Sequence, residues 1–412
     1  MTRTLVPLVI LIAIAADLRR PDTAWTAEPR RSPTNQAPEP PPIEPPSPKR
    51  IEQAIRRGVS FLLRVQNKNG SWGSPHRTKA LNIYAPVPGA HHAFRTAVTS
   101  LCLCALIETG SEDPKAHEAI DRGERWLFRH LPHLRRATPD AIYNVWGHAY
   151  ALQAIAHLHT RSTDESHRKQ LLELARSQVA FLQRYESVDG GWGYYDFRVG
   201  AKRPASSSIS FVNGTVLVAF DEARRVGVAI PDRLVQRAID ATLRQRKPDF
   251  SYLYGEYLKW RPMRGINRPA GSLGRSQVCN AALRLWGDPD VTDKVLEAWL
   301  NRLFARNGWL SIGRKRPVPH EAWFQIAAYF YYYGHYYAAK CIELLPTQRR
   351  PFFQAYMAHT LLPLQEKDGS WWDFPFYNYH QQYGTAFALM SLVRCRPAAS
   401  EMPGPPPAKR QP

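Results

Sequence analysis

Gly147-His148-Ala149-Tyr150-Ala151 and Gly334-His335-Tyr336-Tyr337-Ala338 write one short pattern twice, and His380 opens a third apolar stretch after Asn378-Tyr379. Imidazole titrates near neutral pH and is the commonest metal ligand, so three of them converging could relay protons or hold zinc. A second group lies between Gly190 and Pro204, where Tyr194, Tyr195, Asp196, Arg198, Lys202 and Arg203 crowd one loop. Asp196 and Asp373 are the carboxylates available for acid/base work beside His148, His335 and His380. Arg198, Lys202 and Arg203 suit an anion, and Tyr194, Tyr195 and Tyr383 suit the body of a ligand. Arg261, Arg264, Arg268, Arg275, Arg314, Lys315 and Arg316 extend the basic character to two further loops. The plainer reading is core histidines and solvated basic loops. No cofactor is expected, and zinc is the one metal these residues suggest.

Spacing cannot bring residues from distant segments together; the fold must. Helical periodicity picks out twelve segments in pairs. The first of each pair is amphipathic, at about 50–66, 116–130, 166–183, 232–246, 290–304 and 349–365. The second is apolar on most faces, at about 94–107, 146–158, 210–222, 273–286, 322–345 and 381–394. One-striped helices lie outside and helices apolar all round lie inside. No convincing strand is present. The expected fold is all-α, an α/α toroid of six helical hairpins closed into a ring, with an open superhelix as the competing arrangement. In the ring every inner helix starts on one rim, and their unpaired N–H groups favour an anion there. Those dipoles and the Arg/Lys cluster should lower the histidine pKa values.

Gln66-Asn-Lys-Asn-Gly-Ser-Trp72 recurs as Gln365-Glu-Lys-Asp-Gly-Ser-Trp371. Repeat three has Asp189-Gly-Gly-Trp192 and repeat five Asn307-Gly-Trp309, while repeats two and four look degenerate. The Gly supplies a left-handed turn that stops the outer helix, and the Trp folds back over the helix end. Phe61-Leu62 with Gln66 and Gly70-Ser-Trp72, and again Gln365 with Gly369-Ser-Trp371, resembles the glutamine–tryptophan repeat of squalene–hopene cyclases. Asn378-Tyr-His380 is similar to a stretch of protein prenyltransferase β subunits. The resemblance covers about residues 50–395 and implies the terpenoid cyclase and prenyltransferase superfamily.

Departures from those families restrict the function. The Asp-x-Asp-Asp acid of class II terpene cyclases is absent, and Asp288-Pro-Asp290 reads as a helix N-cap. His380 matches the prenyltransferase zinc histidine, but Pro204–Phe211 lacks the Asp and Cys that accompany it.

The ends frame the domain. Leu5–Ala16 is an apolar run too short to span a bilayer, and residues 1–27 read as an export signal, with an uncleaved anchor as the alternative. Residues 28–49 are a Pro-rich linker, 50–396 the toroid and 397–412 an unstructured tail. A net charge of +20 invites nucleic acid, an anionic membrane surface or an acidic substrate. The basic residues are scattered and no nucleic-acid-binding pattern occurs, which leaves nucleic acid aside. Five cysteines, placed singly or on diverging faces, read as buried thiols.

The expectation is an exported protein, periplasmic or extracellular, that binds or transforms an isoprenoid-like or other anionic-headed ligand in a central cavity. Its partners are a small hydrophobic or anionic ligand and, as an option, a membrane surface. The alternatives are a lyase on acidic polysaccharide and a non-catalytic envelope scaffold.

Overall fold

Pro48 at the first turn and Ile51, Ala54, Ile55, Val59 and Leu62 on one buried stripe make α1 (Pro48–Arg64) an outer helix. Its successors on the outside are α3 (Pro114–His130), α5 (Glu165–Arg184), α7 (Asp232–Leu243), α9 (Asp293–Ala305) and α12 (Arg350–Leu361). Asp113 and Asp164 cap α3 and α5, accepting from the Lys115 and Ser166 amides. Between them run α2 (Pro88–Thr109), α4 (Asn144–Arg161), α6 (Ser210–Arg225), α8 (Leu273–Leu285), α11 (Tyr331–Glu343) and α13 (His380–Val393), buried on nearly every face. The computed structural model describes residues 37–76, 88–196, 198, 203–205, 208–262, 264–268, 270–316 and 327–397.

The inner helices close. α2 packs on α4, α4 on α6, α6 on α8, α8 on α11, α11 on α13, and α13 returns to α2. That last contact excludes the open superhelix. Pro88–Thr109 is long and apolar enough to cross a membrane, but it is an inner helix packed between α4 and α13. Among the described residues there is no strand, only isolated bridges. All five cysteines are free and buried. The export segment and the end of the tail lie outside the described residues. The Pro-rich stretch is no free tether where it is described: Pro40 is buried and Tyr356 donates to the Pro41 carbonyl at 2.9 Å.

The repeated turns have one geometry. Gly70, Gly190 and Gly369 all have φ between 93° and 96°, which an L side chain rarely adopts. A Cβ on Gly70 would lie 2.2 Å from the Arg122 carbonyl oxygen, and one on Gly369 2.5 Å from that of Arg57. Each turn therefore seats on the next outer helix, and the sixth turn seats on the first helix. Trp72, Trp192 and Trp371 are fully buried, and their indole N–H groups donate to Leu62, Leu182 and Leu361 carbonyls at 2.8–2.9 Å. Gln66 Nε2 donates to the Gly70 and Ala119 carbonyls; Gln365 Nε2 does so to Gly369 and Ala54. The glutamine thus fastens its own turn to the neighbouring helix.

Two repeats differ from their letters. Repeat four keeps the turn, with Phe250 at φ 59° in the Gly place and buried Tyr252 in the Trp place. Repeat five loses it: Asn307–Ser311 is a short helix, α10, and Trp309 is 36 % exposed. Asp288 does not cap a helix. It accepts from the Asp290 amide at 2.9 Å and pairs with Arg246, while Thr292 precedes α9.

Candidate functional site

The described parts of the outer-to-inner loops, numbered by repeat, are stitched together along one rim. Ser74 bridges to Asn378, Ala141 to Tyr195 and Ile209 to Gly255, joining loops one and six, two and three, and three and four. The Tyr332 amide donates to Asp373 Oδ2 at 3.1 Å, joining α11 to loop six. Backbone groups that leave regular helices are thereby satisfied across repeats.

Inside this rim is a closed collar of aromatic rings. Phe94 contacts Tyr143 at 5.0 Å, Tyr143 contacts Tyr194 at 6.3 Å, and Tyr194 contacts Phe211 at 6.5 Å between centroids. Phe211 meets Phe330 at 4.9 Å, Phe330 meets Tyr329 at 4.7 Å, and Tyr329 meets Phe374 at 5.7 Å. Phe376, 6.3 Å from Phe374, returns to Phe94 at 4.7 Å. Below it the axis is filled. Phe387 of α13 contacts Tyr150 of α4 and Tyr333 of α11, each at 6.0 Å. At the far end Glu108 pairs with Arg394, and Lys340 pairs with Glu222 at 2.6 Å, where inner-helix C-termini favour cations.

Arg275, in the first turn of α8, is fully buried beneath the collar's Tyr254 side. Its guanidinium lies 5.3 Å from the Tyr254 ring centroid and 5.6 Å from that of Phe330. It donates to the carbonyls of Gly271 at 2.6 Å, Ile266 at 2.7 Å and Tyr252 at 3.3 Å. Among the described residues its Nε has no hydrogen-bond partner, and no carboxylate pairs with it. Burial lowers its pKa to about 10, so it stays charged at neutral pH. A cation buried without a counter-ion is expensive, and aromatic faces offset only part of that cost.

Asp373 directly follows the Trp371-Trp372 pair and is fully buried. The Tyr383 hydroxyl donates to its Oδ1 at 2.7 Å. Burial pushes its pKa from 3.8 to about 7, against the Tyr383 and Tyr332 hydrogen bonds that favour the ionised form. An acid poised near neutral pH can give or take a proton.

The three histidines are not brought to one point. His148 is fully buried, donates from Nδ1 to Gln178 of α5 at 2.7 Å and stacks on Phe181 at 4.7 Å. His335 donates from Nδ1 to the Tyr331 carbonyl at 2.7 Å, and Asn307 donates to its Nε2 at 2.8 Å. His380 donates to the Tyr377 carbonyl at 2.6 Å, with Trp372 edge-on at 5.1 Å. No two share a partner: His335 and His380 are bonded within their own repeats, and His148 to α5 of the following one. Burial, rather than helix dipoles or the Arg/Lys cluster, lowers His148 and His335 to about 4. Among the described residues no three His, Cys, Asp or Glu side chains gather as a metal site would require.

Loop three divides. Tyr194 and Tyr195 belong to the collar region, with the Tyr194 and Tyr254 hydroxyls hydrogen-bonded and Tyr143 donating to Tyr195 at 3.0 Å. Asp196 is buried and paired with Arg136 at 3.4 Å, and it accepts from the Arg198 amide. Arg203 is bound to Glu186 at 2.9 Å, so its charge is spent on a buried carboxylate. The Arg198 residue is exposed, and Lys202 lies outside the described residues. Sequence reasoning placed Arg275 among the rim's basic residues without separating it from them. The available signal was a lone charge in the apolar start of an inner helix. The Phe residues of the collar were missed, although Phe374-Pro-Phe376 stands beside the named Asp373.

Residues 42–230 match the family model described as the squalene-hopene cyclase C-terminal domain. Among solved structures, a type II terpene cyclase from Scytonema is similar at 15% identity and TM-score 0.50, over 85% of this chain and 99% of that one. An α-1,6-mannanase from Salegentibacter sp. HEL1_6 aligns at 11% identity and TM-score 0.51, over 84% and 98%. The unsaturated glucuronyl hydrolase of Bacillus sp. GL1 aligns at 14% identity and TM-score 0.55, over 84% and 96%. At these identities the likeness is one of fold.

Proposed function

Taking the chain as an α/α toroid of the terpenoid cyclase-like superfamily, we propose that its mouth takes an isoprenoid-like ligand by an anionic head and an apolar body. The observation that carries this reading is Arg275, fully buried beside an aromatic collar, with neither a carboxylate nor a partner for Nε among the described residues. The ligand's anion would neutralise that charge, and the collar's rings would cover the hydrocarbon. A fixed cation also opposes a developing carbocation nearby, which argues for capture or anion-forming chemistry over cation-driven cyclisation. Asp373, hydrogen-bonded to Tyr383, is the proton-transfer residue of this reading, and Tyr383 orients it. Its pKa of about 7 gives it both protonation states under ordinary conditions.

A polysaccharide-cleaving reading needs two carboxylates flanking a sugar, or a base beside an acidic one. Asp196 is already committed to Arg136, which favours the lipid reading. Thermal shift with an isoprenyl diphosphate, an isoprenyl carboxylate, the neutral isoprenyl alcohol and unsaturated glucuronate oligosaccharides tests it. The two anionic isoprenoids should stabilise wild type and not Arg275→Met. Stabilisation by the oligosaccharides alone would overturn it.

A further inference from the structure

The loop from α7 to α8 carries a tip that the ring does not need. Tyr257, Lys259, Trp260, Arg261, Pro262 and Arg264 are all exposed. Trp260 is 83 % exposed, the most of any large apolar side chain described, and Tyr257 is 54 % exposed. The tip is built rather than slack. The Leu258 amide donates to the Gly255 carbonyl at 2.9 Å and that of Arg261 donates to Leu258 at 2.8 Å. Buried Asn267 fastens it from below, donating to the Arg261 carbonyl at 3.1 Å and accepting from the Tyr254 amide at 2.8 Å. Leu258 and Ile266 join the hydrophobic core. A loop so anchored holds an indole out into water at a standing hydrophobic cost.

The charge around it has one sign. Residues 257–268 contain Lys259, Arg261, Arg264 and Arg268 and no Asp or Glu. The preceding Glu256 is largely buried and bound to Arg244 at 2.6 Å. Lys259 Nζ lies 5.4 Å from the Trp260 ring centroid, on the indole itself. A projecting indole flanked by cations matches an anionic bilayer surface, where the ring sits at headgroup level and the cations meet phosphates. A protein partner would need a pocket shaped for this convex tip, whereas a bilayer needs none.

We propose that the exposed tip Tyr257–Pro262, with Arg264, is an interfacial anchor that seats the mouth of the toroid on an anionic lipid surface. Tyr254 of the same loop stands in contact with the collar's Phe211 at 5.3 Å, so docking sets the mouth against the lipid. The docking stands without the ligand reading; only the consequence, entry of a lipid ligand from the bilayer, rests on it.

Co-sedimentation of the full chain with phosphatidylcholine vesicles, with and without phosphatidylglycerol, tests the anchor directly. Wild type should bind the phosphatidylglycerol vesicles. Trp260→Ala should bind them more weakly at every salt concentration and lose part of the quenching of Trp fluorescence by brominated lipid. The triple variant Lys259→Ala, Arg261→Ala, Arg264→Ala should lose about a hundredfold at low salt, roughly fivefold per charge. Unchanged melting temperatures confirm folding, as these side chains are exposed. Equal binding by wild type and Trp260→Ala, as attachment through residues 5–16 would give, overturns the proposal. So does failure to bind phosphatidylglycerol vesicles, the outcome expected of a tip that docks on a protein. Neither outcome depends on the isoprenoid thermal shift, so the two readings fail separately.

Discussion

Asp373→Asn removes a charge that the fold holds at a cost. The side chain is fully buried, and among the described residues no cation pairs with it; the Tyr383 hydroxyl and the Tyr332 amide donate to it. Its pKa is about 7 in the folded chain against 3.8 for the free group. Between those values the native state holds a proton that the unfolded chain has released. The stability this proton confers is complete below 3.8, falls as pH rises through the window, and is gone above about 7. The displacement corresponds to roughly 4 kcal/mol, an upper figure because the site can relax. Asparagine keeps an acceptor for both donors and never ionises. The variant should therefore match wild type at about pH 4 and exceed it by about 2–4 kcal/mol at about pH 8. Urea unfolding at several pH values, followed by circular dichroism, reads the difference. A gap that stays constant with pH, or a variant less stable at the alkaline end, would falsify the claim that Asp373 is a desolvated acid. In the lipid reading the same variant binds its ligand and transfers no proton.

Trp72→Ala and Trp371→Ala should each destabilise by about 3–5 kcal/mol in urea unfolding, whereas half-exposed Trp309→Ala should cost under about 1 kcal/mol. Gly369→Ala combines a φ of 93° with a Cβ 2.5 Å from the Arg57 carbonyl oxygen, while Gly227→Ala has φ 91° and open space. The first should cost about 2–4 kcal/mol and the second about 1 kcal/mol, so their difference measures the ring-closing contact. His148 and His335 titrate at about 4 in the fold and 6.5 outside it, so the native state binds fewer protons between those values. The stability they contribute is full above 6.5 and is lost as pH falls through 4, up to about 3 kcal/mol for each. Acid unfolding should be steeper in Asp373→Asn, where the opposing gain from Asp373 is gone.

Alternating helices and the ring were legible because apolar spacing dictates them. The glycine–tryptophan turn was legible in repeats one, three and six because its letters recur, with Gln66 and Gln365 in two of them and Glu186 in the third. Repeat four escaped because Phe250 and Tyr252 replace the marker residues while the backbone bonds persist: Lys247 still takes the Ser251 carbonyl at 2.8 Å, as Asn67 takes that of Ser71 at 2.9 Å. Repeat five misled in the opposite sense. Asn307 and Trp309 are the right letters, but Asn307 is engaged by Tyr331 and His335, and a helical turn forms instead.

The site was less legible, for a physical reason. Residues at equal places in a repeat share an environment, and in this ring that environment is the seam between inner and outer helices. His148 and His335 matched because both are buried against outer-helix or loop partners that differ between them, Gln178 of α5 for one and Asn307 with the Tyr331 carbonyl for the other. A group that serves the mouth must instead break the repeat, since the mouth is one place and the repeats are six. Asp373 and Arg275 do this. Among the described residues one is an acid without a cation and the other a cation without an acid, each fully buried, at a turn and at a helix start. Both were named in the sequence, but separating Asp373 from Asp196, and Arg275 from the other rim arginines, needs burial and partners, which a single sequence does not state. Were both merely structural, replacing them together by Asn and Met should stabilise the ring and leave every ligand response intact. A double variant that is stable yet silent toward anionic isoprenoids, beside an Asp373→Asn single variant that still binds them, places the anion at Arg275 and leaves Asp373 to proton transfer.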